Sequence, residues 1–363
     1  MAVMAAMACG GQKTTMVTAS NGEAPPSTPN AGAPPGAPDA AIWPLPGRDA
    51  QGTRYSPLTE ITPDNVKNLK VAWTFSTGFA RGFEGQPLVV NNTMYVVTPW
   101  PNWVFALDLT KQGGPLKWVY KTPTARAAQG EACCDVVNRG ASFADNKIIF
   151  NRLDNHTVAL DANTGKVVWD VQLDSIAEGA TMTMAPLVAD GMVFVGNSGA
   201  ELGVRGWAAG LDLGTGAVKW RAYSTGPDSI VKIGPDFRPF YPQYKGQNLG
   251  VSTWPADQWK LGGGTVWGWI TYDPDLDLIY YGTANPGVWN PDMRPGDNLW
   301  GASIFARDPK TGAAKWAYQM TPHDSWDYDG INEAIPVDIT VGGQPKKVVV
   351  HFDRNGFAYT IDR

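Results

Sequence analysis

The sequence predicts an all-β fold of repeated four-stranded units, and three observations carry that expectation. The first is a recurring motif. "ALDLTKQGGPLKW" (106–118), "ALDANTGKVVW" (159–169), "GLDLGTGAVKW" (210–220) and "ARDPKTGAAKW" (306–316) each place an Asp two positions after a small residue, then a turn usually made by Thr-Gly, then a Trp. The closing residues Trp118, Trp169, Trp220 and Trp316 stand 51, 51 and 96 positions apart, the last interval close to two periods. Trp73 in "LKVAWTF" lies 45 positions before Trp118 and fits as an earlier member. The second is composition: 16 Trp, 41 Gly and 29 Pro in 363 residues suit short strands and many turns. The third is the strand-like text between the motifs. A period of this length, with strands, turns and one Trp per unit, is the signature of a β-propeller.

Each element follows from local chemistry. No single blade can bury both its faces, so an indole fills the gap to the next blade, while Asp and Thr of the turn bond the local backbone. "PLVVNNTMYVVT" (87–98) and "KIIFNRLDNHTVAL" (147–160) read as strand pairs. "PLVADGMVFVGN" (186–197) reads as a hairpin turning on Ala-Asp-Gly. About five blades can be counted. The last stretch, "FAYTIDR" (357–363), reads as the start of a repeat that stops before its turn and Trp. An open ring leaves strand edges unpaired, so the sequence reads as the N-terminal part of a longer propeller.

Ahead of the repeats, residues 1–19 contain "MAVMAAMACGG", which is similar to the end of a bacterial lipoprotein signal with Cys9 as the lipidated residue. It has no Lys or Arg before Cys9, unlike a whole signal. Residues 20–40 are rich in Pro, Ala, Gly and Ser and read as a disordered tether. The propeller is expected over 41–363. No run of 18 apolar residues is available to span a bilayer. A net charge of −5 gives no basic footprint, which argues against nucleic acid as a partner.

Two features suggest chemistry. Cys133 and Cys134 are adjacent; they are either two free thiols or, in an oxidising compartment, a vicinal disulfide. "TPHDSWDYDGINE" (321–333) gathers Asp324, Asp327, Asp329 and Glu333. Acids between Gly and Pro are ordinarily loop residues. His323, beside them, reads as a locally bonded turn residue.

The stretches "RYSPLTEITPDNVKNLKVAWTFSTG", "GEACCDVVNRGASF", "GNSGAELGVRGW", "GGGTVWGW", "TANPGVWNPDMRPGDNLWGASIFARDPKTGAAKWAYQMTPHDSWDYDG" and "HFDRNGFAYTIDR" carry a resemblance. In this order, over positions 41–363, they resemble the quinoprotein alcohol dehydrogenases that use pyrroloquinoline quinone (PQQ), nearest to the lanthanide-dependent methanol dehydrogenase branch. That resemblance implies an eight-bladed propeller, of which this sequence lacks the last three blades.

It also implies a site. Glu201 and Asn285 match metal ligands, and Asp327 matches both a metal ligand and the catalytic base. Asp329 falls where the lanthanide enzymes carry an additional Asp and the calcium enzymes an Ala. Trp267 matches the residue on which PQQ stacks, and Cys133–Cys134 the vicinal disulfide on its other face. Glu84, Arg139, Thr183, Ser198, Thr265 and Arg354 match hydrogen-bonding partners of PQQ. The implied reaction is periplasmic oxidation of a small primary alcohol, methanol first, with electrons passing to a cytochrome c. A second copy of the chain and a lipid anchor at Cys9 are further expected partners. The alternatives are a calcium-dependent enzyme for ethanol or larger alcohols, and a non-catalytic propeller scaffold.

The residue chemistry agrees with these assignments. Glu201, Asn285, Asp327 and Asp329 offer only oxygen, which favours hard cations over zinc or copper. Three acids at one point repel strongly, and a trivalent ion neutralises them more fully than calcium. A flat, tricarboxylated quinone needs an aromatic plate such as Trp267, which follows Gly262–Gly264, and cationic forks such as Arg139 and Arg354. Asp324, Glu333 and Asp297 have no assigned role.

Overall fold

A computed structural model describes residues 42–80 and 82–363. The expected leader, the Cys9 anchor and the 20–40 tether lie outside the described residues. Those residues fall in one compact unit. It consists of five sheets of consecutive antiparallel strands, as the repeat predicts.

The first blade is Leu88–Val90, Thr93–Val97, Val104–Asp108 and Leu116–Tyr120. The second is Asn138–Ala144, Lys147–Arg152, His156–Asp161 and Val167–Gln172. The third is Leu187–Ala189, Met192–Gly196, Trp207–Asp212 and Val218–Tyr223. The fourth is Ile270–Asp273, Leu278–Gly282, Ser303–Arg307 and Ala314–Gln319. The fifth sheet has three strands, Ala334–Val341, Gln344–Phe352 and Ala358–Asp362. Two extra strands join in parallel: Phe83–Gln86 on the inner edge of the second blade, and Ile233–Pro239 on the outer edge of the fourth.

The core lies between the blades. Ile148 and Phe150 point toward Leu88, Val97 and Val104 of the first blade, while Ile149 between them packs with Val193 and Val195 of the third. Met192 and Phe194 face the other way, toward Ile279, Tyr281 and Phe305 of the fourth. Side chains alternate across a strand, so a blade covered on both faces must be apolar at successive positions. Met192–Gly196 is accordingly buried at every position.

The repeat motif has a clear geometry. The carboxylates of Asp108, Asp161, Asp212 and Asp308 accept from the N–H and hydroxyl of Thr110, Thr164, Thr215 and Thr311, closing each turn. Each closing Trp then lies on the next repeat. Trp118, Trp169 and Trp220 donate their indole N–H to the carbonyls of Ala162, Leu213 and Pro309, at 3.0, 3.1 and 2.8 Å. Their rings press on Gly165, Gly216 and Gly312, where a β-carbon would stand 2.5–2.8 Å from the ring. Those glycines also have φ of 69–74°, so no other residue fits without strain. Trp73 docks on Gly114 in the same way, although residues 69–80 form no strand. Trp316 donates to the Arg363 carbonyl at 3.0 Å, so Asp362, on the third strand of the fifth sheet, stands where Asp161 and Asp212 stand in theirs.

The expected hairpin holds: Asp190 and Gly191, with φ of 48° and 72°, join Ala189 to Met192. Two positive φ values in a two-residue loop match the twist of the strands. Residues 43–50 cross the inner strands: Val89 exchanges two bonds with Trp43, Phe143 donates to the Pro44 carbonyl, and Tyr272 to that of Ala50. Among the described residues no helix is long and apolar enough to cross a membrane.

Candidate functional site

Antiparallel strands alternate direction. The loops entering a blade and the loops after its second strand therefore leave from one end, and the Asp-Thr turns from the other. Every residue assigned to the site except Glu84 and Arg139 lies in a loop of the first kind. Those two sit on the inner edge of the second blade, in Phe83–Gln86 and Asn138–Ala144.

Glu84, Cys133, Cys134, Arg139, Thr183, Ser198, Glu201 and Trp267 line one cleft, with Val137, Thr181 and Gly199. Cys133 and Cys134 are joined by a disulfide across one peptide bond. Arg139 pairs with Glu84 at 2.9 Å, donates to the Thr183 hydroxyl at 2.8 Å and lies 4.8 Å above the Trp267 ring. Its guanidinium is biased toward losing its proton by burial, which the charges of Glu84 and Asp329 oppose. Thr183 and Ser198 hydroxyls stand 3.1 Å apart, because Thr181 and Ser198 bridge their backbones.

Segments 263–265 and 284–286 pair side by side. Gly264 donates to the Asn285 carbonyl and Ala284 to that of Thr265, both at 2.8 Å. Gly263 is required there: a β-carbon would meet the Gly287 nitrogen at 2.5 Å and the Asn285 oxygen at 2.6 Å. This pairing sets Gly264 opposite Asn285 and Thr265 opposite Ala284. The Thr265 hydroxyl is fully buried and has no hydrogen-bond partner among the described residues.

Asp329 forms the second half of the site. It is 3% exposed, accepts from the Asn285 N–H at 3.3 Å and pairs with Arg354. In the orientation that satisfies both ends, the Asn285 amide nitrogen donates to Asp329, and its oxygen accepts from the Trp289 indole at 3.2 Å. Burial lifts the Asp329 carboxyl to about 7; Asp327 and Glu201 add to the rise, while Arg354 and the Asn285 N–H oppose it. Asp327 is also raised, by burial first and by Asp324, against Arg354. Both Asp327 and Asp329 have left-handed φ, 63° and 68°.

Glu201 and Asp327 thus act on Asp329 through their charge, while Asn285 touches it directly. Among the described residues no three His, Cys, Asp or Glu side chains converge closely enough to hold a metal ion. The donor set nevertheless suits a hard cation: it is all oxygen, and added positive charge would relieve the raised carboxyls. The cleft suits a flat polyacid: it offers an aromatic plate in Trp267 and a half-buried cation in Arg139.

Residues 43–363 match the family model of PQQ dehydrogenases described as glucose/ethanol/alcohol dehydrogenase, beta-propeller domain. The chain belongs to this PQQ-dependent family. It is 53% identical over 322 residues to a lanthanide-dependent methanol dehydrogenase of Methylacidiphilum fumariolicum, covering 88% of this chain and 53% of that protein. It is 48% identical to methanol dehydrogenase [cytochrome c] subunit 1 of Paracoccus denitrificans, over 93% of this chain and 54% of the relative. Among solved structures, a europium-containing methanol dehydrogenase superposes with a TM-score of 0.87 at 52% identity, over 90% of this chain and 57% of that one. The chain therefore spans about half the length of these PQQ-dependent relatives.

Sequence reasoning passed over Asp324. It is 1% exposed, and its carboxylate accepts from the N–H groups of Trp326 and Tyr328. Its spacing from two main-chain amides could have suggested a loop brace. Glu333 pairs with Arg54, a contact across the fold that no local pattern announces. His323 is not bonded locally as expected: its ring nitrogen lies 2.9 Å from the Gly296 carbonyl, 27 positions away.

Proposed function

We propose that the full-length protein oxidises a small primary alcohol, methanol first, to the aldehyde, using PQQ and a lanthanide ion and passing electrons to a cytochrome c in the periplasm. The propeller, 41–363, would stand behind a leader and tether. The observation that carries this reading is one cleft lined by Trp267, the Cys133–Cys134 disulfide and Arg139, bordered by the raised carboxyls of Asp327 and Asp329.

Trp267 and the disulfide would sandwich the cofactor. Arg139 and Arg354 would take its carboxylates, and Glu84, Thr183, Ser198 and Thr265 its remaining polar atoms. Thr265 supports this most directly, since a buried hydroxyl without a partner costs about 1–3 kcal/mol unless a ligand satisfies it. Glu201, Asn285, Asp327 and Asp329 would hold the cation. When bound, PQQ supplies an electrophilic carbonyl that accepts hydride, and the cation supplies Lewis acidity.

The chain's own part is proton removal and orientation. Asp327 takes the alcohol proton as general base. Asp329 adds a third carboxylate to those of Glu201 and Asp327, which favours a trivalent ion over calcium. A propeller acting only as a scaffold has no use for Glu201, Asn285, Asp327 and Asp329 together with a Cys133–Cys134 pair.

The test is to load the full-length protein with PQQ and either lanthanum or calcium, and to follow methanol and ethanol oxidation with an artificial acceptor. Turnover is expected with lanthanum and methanol. Turnover with calcium alone would overturn the lanthanide assignment, and none with any alcohol would overturn the function.

A further inference from the structure

We infer that Asp324, backed by Arg294, is the positioning residue for the catalytic base. This rests on the reading of Asp327 as that base. Asp327 lies between Trp326 and Tyr328. The Asp324 carboxylate receives the Trp326 N–H on one oxygen at 3.0 Å and the Tyr328 N–H on the other at 2.9 Å. One buried side chain therefore holds the peptide group that follows Asp327 and the one that precedes Trp326, bracketing the residue. Left-handed backbone is disfavoured for an L-residue, and Asp327 and Asp329 both adopt it. Such a conformation persists only where its surroundings over-determine it. The two bonds to Asp324 do that on either side of Asp327.

Arg294 ties this brace to the rest of the site. It is 1% exposed and serves three segments with one guanidinium. Nη2 donates to the Asp324 carbonyl at 2.5 Å, Nε to the Val288 carbonyl at 2.7 Å, and Nη1 to Asn298 Oδ1 at 2.8 Å. Val288 is three residues beyond Asn285. The loop carrying Asp327 is thereby fixed to the segment carrying Asn285 and Trp289. A second tie joins the same two segments: His323 donates its N–H to the Asp297 carbonyl at 3.1 Å. A planar fork is needed for this three-way contact, and an ammonium cannot reproduce it.

Asp324→Asn and Arg294→Lys test the inference in full-length protein loaded with PQQ and lanthanum, beside wild type and Asp327→Asn. Asn keeps the size of Asp but turns an NH2 toward one of the two amides. A misplaced base costs kcat on the order of 10- to 100-fold. We expect that loss in kcat per bound PQQ, an unchanged KM for methanol, unchanged PQQ stoichiometry, and a larger deuterium isotope effect with deuterated methanol. A merely structural role would lower the PQQ-loaded fraction and leave kcat per loaded site and the isotope effect at wild-type values; that result overturns the inference. Should Asp324→Asn not fold, Arg294→Lys decides by the same readouts. Full turnover in Asp327→Asn would instead sink the base assignment on which the inference stands.

Discussion

The main-chain N–H of Asn285 donates to Oδ1 of Asp329 at 3.3 Å, across 44 positions of sequence. This contact sets Asp329 against the segment carrying Asn285, as the proposed cation site requires. Replacing Asp329 by Ala should weaken lanthanum binding in the full-length protein by roughly tenfold or more, since ligand charge sets affinity for hard cations. Calcium should be affected less. Competitive metal titration read by PQQ absorbance checks both statements.

The indole of Trp169 bridges two blades, donating to Leu213 and covering Gly216. Trp169→Ala should cost about 3–5 kcal/mol of stability, while Trp169→Phe should lose the hydrogen bond and less packing. Gly216→Val should also destabilise, since φ is 74° and the indole fills the space. Denaturant unfolding of the three variants gives the order.

The disulfide between Cys133 and Cys134 faces the cleft. Neither residue should react with an alkylating agent until a reductant is added, which peptide mass mapping will show. The double substitution to Ala should leave the fold intact and weaken PQQ binding, because both residues are exposed on the cleft wall and carry no core packing.

Asp170 gives a pH dependence remote from the site. Burial pushes its carboxyl up, but the hydrogen bond and charge of His156 and the Arg152 guanidinium bring it below the ordinary range. A carboxyl with a lowered folded pKa contributes stability above its unfolded pKa, about 3.9, and loses it as pH falls toward the folded value. The stability gap between wild type and Asp170→Asn should be full at neutral pH and shrink in acid. Urea unfolding at several pH values measures it.

The repeat made most of the fold legible. Its Asp, Thr, Gly and Trp each do local work, so their spacing survives in the sequence. Trp73 was legible as a docking indole but brings no strand with it. Its ring satisfies Gly114 while its backbone runs irregularly. Oxygen ligands and cofactor contacts could be named only through family resemblance, since Glu201 and Asp329 come from different blades. Asp324 was named without a role, and Arg294 was not singled out, because both act largely on main-chain atoms, which leave no residue pattern. The crossing by residues 43–50 escaped for the same reason: backbone, not side chain, carries its bonds.

The central claim is that Asp327 removes the alcohol proton in a PQQ- and metal-loaded site. Its most direct test is methanol turnover per bound PQQ in full-length wild type and Asp327→Asn, with metal and PQQ content measured in both. Turnover is expected in wild type, with a loss of about 10²–10⁴-fold in the variant at equal PQQ loading. Equal turnover in the two proteins would contradict it.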